Sequence, residues 1–377
     1  MKELLDNLRI YPRIDREDMY GKIFNMPSDI EYVLKAMEYL KLPEKIVVKG
    51  KSIEYGRPNN VVICGMGGSA IGGIILKDLL WELTSIPIEV VRDYVPPSYI
   101  DEKSLVILVS YSGNTEETLN CLLYSLKSGA MLYMITSNGA LLKVAEKHSI
   151  PHYRVPKGYP PRAAIIHLTL PSLYIISKLL DMPIYLEQLR DTVKLLRKLR
   201  TSIAREVPFE ENIAKVSAMK LLNKIPIIYS YRPYRGIGYR LKTQFNENCK
   251  ILAFFEEVPE MNHNGIMGWE STTQYSKILK VVIIRGSKES TEIHHRLKFL
   301  EELLESRGVE YLNIRSSSKF LIGETFELIM LLDMITYYLS IARGVDPTPV
   351  PTIEELKRYL STTTGTLSRI QAELESF

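Results

Sequence analysis

Val61-Val62-Ile63-Cys64-Gly65-Met66-Gly67-Gly68-Ser69-Ala70-Ile71-Gly72-Gly73 is the stretch on which the fold turns. Its first four residues are apolar, with Asn59-Asn60 before them and glycines after. That pattern suits a strand buried on both faces of a parallel sheet. Glycines directly after such a strand let the backbone approach a ligand closely, and the helix that follows presents unpaired N–H groups. Read alone, the stretch fits a dinucleotide fingerprint, G-x-G-x-x-A, and also a tight strand-to-helix turn.

Short apolar runs follow at residues 86–91, 105–109 and 131–135, with helical patterns over 116–128 and 141–148 between and after them. Strand alternating with helix predicts stacked βαβ units and a doubly wound sheet. Helical material over 165–199 leads to a second set of strands at 225–230, 251–255, 279–284 and 311–314. Helices at 295–306 and 326–341 accompany them. The expected fold class is α/β, with two doubly wound parallel-sheet subdomains flanked by helices, a duplicated plan. The expected boundaries are an N-terminal helical extension over 1–55, a first domain over 56–200 and a second domain with C-terminal helices over 201–377.

Composition narrows the function classes. The chain has 377 residues with 48 Lys+Arg against 44 Asp+Glu, a formal charge of +4. That is too weak for a nucleic-acid footprint, and no Lys/Arg-rich block appears. A 46% hydrophobic share excludes wholesale disorder. Cys64, Cys121 and Cys249 lack CxxC spacing, which suits a reducing compartment. No signal-peptide core and no run of 18 apolar residues is present, so a soluble, cytoplasmic chain without membrane association is expected.

The third strand runs into Ser110-Tyr111-Ser112-Gly113-Asn114-Thr115-Glu116-Glu117-Thr118. Three small hydroxyl residues and a glycine fall where a helix begins. Hydroxyl donors, backbone N–H groups and the positive end of a helix dipole together suit a phosphate dianion. The ordinary alternative is an N-cap, with Asn114 capping and Glu117 reaching back. No Gly-Lys-Ser/Thr occurs, so this is not a nucleoside-triphosphate loop.

With both loops in hand, residues 61–73 and 105–118 resemble the sugar isomerase (SIS) domain, a family that binds phosphosugars. The two-domain length and the later motifs resemble the bifunctional phosphoglucose/phosphomannose isomerases, over nearly the whole chain after residue 55. The resemblance implies that Gly67, Gly68, Ser69, Ser110, Ser112 and Thr115 hold the substrate phosphate.

Four further residues take roles from the same resemblance. Arg162 stands in Gly158-Tyr159-Pro160-Pro161-Arg162; a proline-stiffened arginine suits a fixed guanidinium, and the resemblance makes it the stabiliser of an enediolate. Glu247 lies in a helix whose apolar stripe is Ile237, Leu241, Phe245 and Cys249, roughly 140° away, so periodicity alone reads it as a solvated glutamate. The resemblance makes it the general base. His263, in Asn262-His263-Asn264, reads alone as a loop histidine bonded to a neighbouring amide. The resemblance implies that it assists ring opening across a homodimer interface, although Gly265 stands where the family has Glu. Lys357 follows a capping sequence Thr352-x-x-Glu355 and reads alone as exposed; the resemblance gives it a part in ring opening.

His148, His152 and His167 lack carboxylate or Cys partners at ligand spacing, and His294-His295 begin an amphipathic helix. No metal and no cofactor is expected. The expectation is an aldose–ketose isomerase acting on glucose 6-phosphate, mannose 6-phosphate and fructose 6-phosphate. The competitors are an enzyme resembling the isomerase half of glucosamine-6-phosphate synthase and a non-enzymatic phosphosugar-binding regulator. An NAD-dependent dehydrogenase is more distant, because the hydroxyl loop suits a monophosphate better than a pyrophosphate.

Overall fold

The computed structural model describes residues 2–182, 186–271 and 275–377. A hairpin of β1 (Lys45–Val48) and β2 (Lys51–Glu54) precedes the first sheet. There follow β3 (Asn60–Cys64), α1 (Gly68–Leu79), β4 (Ile88–Val91), β5 (Ser104–Val109), α2 (Glu116–Ser128), β6 (Met131–Thr136), β7 (His152–Arg154) and α3 (Ile165–Leu179). The second set is β8 (Ile225–Ser230), α4 (Arg235–Cys249), β9 (Phe254–Glu257), β10 (Leu279–Arg285), α5 (Thr291–Ser306), β11 (Tyr311–Arg315) and α6 (Leu321–Ala342). Helices α7 (Pro351–Thr363) and α8 (Thr366–Glu375) come last.

Both large sheets are parallel, with strand orders β4-β3-β5-β6-β7 and β9-β8-β10-β11. These are one plan built twice. In each, the chain enters at an inner strand, steps to one side and then crosses to the other. That crossing makes a switch point between β3 and β5, and again between β8 and β10, where connecting loops diverge and leave a crevice at the strand ends. The expected doubly wound α/β class is what the chain adopts. The run expected at 251–255 becomes a strand only at Phe254–Glu257, and the short edge strand β7 and the hairpin carried too few residues to be read in advance.

The chain sorts into two compact units that differ from the contiguous boundaries expected. Asp29–Leu186 with Val350–Phe377 forms the five-stranded unit; Met1–Ser28 with Glu187–Pro349 forms the four-stranded one. The terminal segments move because of specific packing. Helix α8 buries Ile370 and Leu374, and Glu373 meets Lys127 of α2 at 2.7 Å. At the other end Tyr11 is buried beside the rings of Tyr337 and Tyr338, while Asp6 receives the buried ammonium of Lys215 at 2.8 Å.

Strand β5 is buried at every position, as its unbroken apolar run requires. Helix α6 forms the core of the four-stranded unit. It is long and apolar enough to cross a membrane, yet 94% of that apolar window is buried inside the fold.

Candidate active site

The crevice between β3 and β5 brings the two quoted loops together. The Ser69 hydroxyl accepts the Tyr111 N–H at 3.3 Å, tying one loop to the other. Ser110 is fully buried, and its hydroxyl is shared with Thr115 at 2.9 Å and accepts the Gly113 N–H at 3.1 Å. Ser110 therefore holds the loop closed from within, while Ser112 is exposed and Thr115 half-buried. Gly113 has φ +71°, and a β-carbon there would collide with the Asn138 carbonyl, so only glycine lets this loop nest on its neighbour.

The N-cap of α2 is Thr115 rather than Asn114, and no side chain caps it. The Asn114 carboxamide oxygen instead accepts from the Ala140 N–H at 2.9 Å and from Gln371 of α8 at 3.4 Å. The alternative reading of this segment as a capping box is thereby corrected. The serine and threonine hydroxyls are not spent on helix capping.

Arg162 is buried, not on the surface, and belongs to the same unit. A β-carbon on Gly68 would stand 2.9 Å from the Arg162 amide nitrogen, so the glycine loop and the arginine loop are packed backbone to backbone. Tyr111 joins them again: its hydroxyl donates to the Pro156 carbonyl at 3.1 Å and accepts the Tyr159 N–H at 2.9 Å. The Tyr159 hydroxyl donates to Asp29 at 2.8 Å. His167 sits 3.3 Å from the same carboxylate and shares its other ring nitrogen with Tyr153 at 2.8 Å. Local spacing could not reveal these supports, because Asp29 lies far back in the chain.

Glu247 lies on α4, in the four-stranded unit. The expected apolar stripe Ile237, Leu241, Phe245 and Cys249 is buried throughout. A second buried stripe, which is polar, runs beside it. Arg240 donates to Asp333 at 2.5 Å, Gln244 to Asp333 at 2.8 Å and Asn248 to Thr336 at 3.0 Å, all on α6. Seven residues separate Arg240 from Glu247, which leaves them about 20° apart around the helix. Glu247 thus borders the buried arc and is half-buried, not solvated as the apolar stripe alone predicts. The three rungs fix the rotation of α4 and so the direction from which Glu247 projects.

His263 is exposed at the end of a short 3-10 turn, Glu260–His263, in the same unit. Asn264, offered as its partner by local reading, donates to Glu260 at 2.8 Å. At Gly265 a β-carbon would collide with the Glu256 carboxylate, whose pKa burial pushes up. The Glu256 carboxylate therefore lies directly against Gly265. Lys357 is exposed on α7 within the five-stranded unit. That helix starts at Pro351 with Val350 as its N-cap, so Thr352 lies inside the helix and caps nothing. His294 is likewise placed differently from its reading: α5 starts at Thr291 behind a Ser290 cap, and His294 meets Glu289 at 2.8 Å.

Comparison with known proteins places these loops in context. The profile of the SIS domain matches residues 55–148, and that of the bacterial phospho-glucose isomerase C-terminal SIS domain matches residues 210–360. The bifunctional phosphoglucose/phosphomannose isomerase of Caldicellulosiruptor bescii is 37% identical over 344 residues, covering 91% of this chain and 99% of that protein. Its namesake from Thermoplasma acidophilum is 33% identical, covering 88% and 99%. The crystal structure of a hypothetical protein from Thermus thermophilus shares the fold, with a TM-score of 0.71 at 16% identity over 96% of this chain and 94% of that one. The first profile covers the crevice loops, the second covers Glu247, His263 and Lys357, and the relatives span both: the chain belongs to the family of bifunctional phosphoglucose/phosphomannose isomerases.

Proposed function

We propose that this isomerase interconverts glucose 6-phosphate and mannose 6-phosphate with fructose 6-phosphate through a cis-enediolate. The reading is carried by one observation, the crevice between β3 and β5. There hydroxyl-bearing loops and the backbone of Arg162 are locked together by Ser69, Gly68 and Tyr111.

In this reading Ser69, Ser112, Thr115 and the Gly67-Gly68 backbone hold the phosphate dianion, with Ser110 bracing Thr115 from behind. His263 and Lys357 assist opening of the pyranose ring, and His263 comes from the second copy of a homodimer; its exposure supports such a role. The Glu247 carboxylate takes the proton from C2 of the open-chain aldose. The C1 carbonyl oxygen becomes the enediolate oxygen, whose charge Arg162 stabilises. Glu247 then returns the proton to C1 while the hydroxyl proton passes from O2 to O1, which yields the ketose. Glucose and mannose phosphates differ only at C2, so rotation about C2–C3 in the intermediate lets one base serve both faces.

A coupled assay for fructose 6-phosphate formed from each hexose phosphate, with and without EDTA, tests this reading. Turnover of both substrates in EDTA is expected. Failure to turn over either aldose, or turnover of only one, overturns it.

A further inference from the structure

Arg162 stands in a short turn whose two ends lead to the same carboxylate. Tyr159, three residues before the arginine, donates its hydroxyl to Asp29 Oδ1 at 2.8 Å. His167, five residues after it, lies in the first turn of α3, and its Nε2 stands 3.3 Å from that same oxygen. Between them Pro160 and Pro161 fix two backbone angles, and their carbonyls accept the N–H groups of Ala163 at 2.9 Å and Ala164 at 3.2 Å. A turn this stiff moves as one body, so what holds its ends decides where it sits.

Asp29 belongs to the first turn of the helix Met26–Glu38, which local pattern assigns to an N-terminal extension. In the fold Asp29 is 4% exposed, and the rings of Tyr32, Tyr153 and Tyr159 pack around His167. A carboxyl group so far out of water stays there only where bonds compensate it. His167 is itself held, since its Nδ1 lies 2.8 Å from the Tyr153 hydroxyl. The turn also meets the glycine loop, where a β-carbon on Gly68 would stand 2.9 Å from the Arg162 amide nitrogen. Gly68 sets how closely the turn can approach that loop, and Asp29 sets how the turn is anchored.

We propose that Asp29 is a positioning residue for the isomerisation: one buried carboxylate clasps the Arg162 turn at both ends, through the Tyr159 hydroxyl and the His167 imidazole, and so places the arginine against the developing enediolate charge. This rests on the function proposed above. A charge that exists only along the reaction path is stabilised by donors already in place, so lost placement lowers turnover more than binding. The phosphate loop has its own ties, from Tyr111 to Ser69 and to Pro156, so KM should change little.

The test is a double-mutant cycle on kcat for fructose 6-phosphate, with the urea unfolding midpoint recorded for each variant. Asp29→Ala should lower kcat at least about tenfold and leave KM within about threefold. Asp29→Asn, which keeps an oxygen for the Tyr159 hydroxyl, should recover part of that loss. In an Arg162→Ala background, adding Asp29→Ala should change kcat by less than about twofold, because no guanidinium is left to place. A merely structural carboxylate moves the urea midpoint and none of these readings. Should Asp29→Ala not fold, Tyr159→Phe, which removes one arm of the clasp, takes its place in the cycle. Native kcat in folded Asp29→Ala, an Asp29→Asn variant no better than it, or losses that multiply with Arg162→Ala overturn the clasp alone. Native kcat in Arg162→Ala itself overturns the reading of the arginine, and the clasp falls with it.

Discussion

Gly68 and Arg162 touch through their backbones: the space a β-carbon would fill at Gly68 is taken by the amide nitrogen of Arg162, 2.9 Å away. The loop that follows β3 and the loop that carries the arginine therefore move as one piece. Gly68→Ala should push them apart at a cost of about 1–3 kcal/mol, the usual range for overpacking. We expect the KM for fructose 6-phosphate to rise and kcat to fall together, measured by steady-state kinetics alongside urea unfolding. Unchanged kinetics in the folded variant would show that the contact does not matter to the site.

Asp333 is the acceptor for two of the three rungs that set the rotation of α4. Asp333→Ala leaves the Arg240 guanidinium, 2% exposed, without its carboxylate, and breaking such a pair costs about 3–5 kcal/mol. Because Glu247 shares that helix, kcat should fall more than KM changes. A variant destabilised by that amount but with native kcat would separate the rungs from the placement of Glu247.

Acid should find a particular weak point in the four-stranded unit. Burial alone would raise the Glu289 carboxyl, but Arg285, His294 and Arg315 outweigh it and hold its pKa down to about 2. The folded value lies below the unfolded one of about 4.3, so the stabilisation is complete above that pH and fades as pH falls toward 2. Urea midpoints measured between those values should drop more steeply for wild type than for Glu289→Gln. Parallel curves would mean that the cluster contributes nothing of this kind.

If His263 is supplied by a second copy of the chain, mixed dimers report it. Glu247→Gln and His263→Ala are each expected to be impaired alone. Denatured together and refolded at equal ratio, they should regain about a quarter of wild-type activity, since half the dimers are mixed and one of their two sites is whole. No regain would place His263 in the site of its own chain.

Much of the fold was legible because buried parallel strands leave unbroken apolar runs; those at residues 105–109 and 131–135 needed no tertiary information. The crevice loops were legible for the same reason, since glycine and hydroxyl residues sit directly at strand ends. What stayed hidden came from long-range packing. The polar residues Arg240, Gln244 and Asn248 have partners that local sequence does not show: Asp333 and Thr336 reach them only from α6. His167 has no carboxylate nearby in sequence, and Asp29 reaches it only in the folded unit. The alternative cap at Asn114 did not form; its carboxamide oxygen accepts from the Ala140 N–H, 26 residues on. Local pattern offers such residues several partners, and tertiary structure chooses one.

In the proposed mechanism Glu247 carries the proton, and Glu247→Gln tests that role most directly. Turnover of glucose 6-phosphate and of mannose 6-phosphate should each fall by at least about a hundredfold, the lower range for losing a general base. Fructose 6-phosphate, measured by calorimetry on the same preparation, should bind within about threefold of wild type, since the phosphate contacts are untouched. Wild-type turnover of either aldose by this variant would contradict the account.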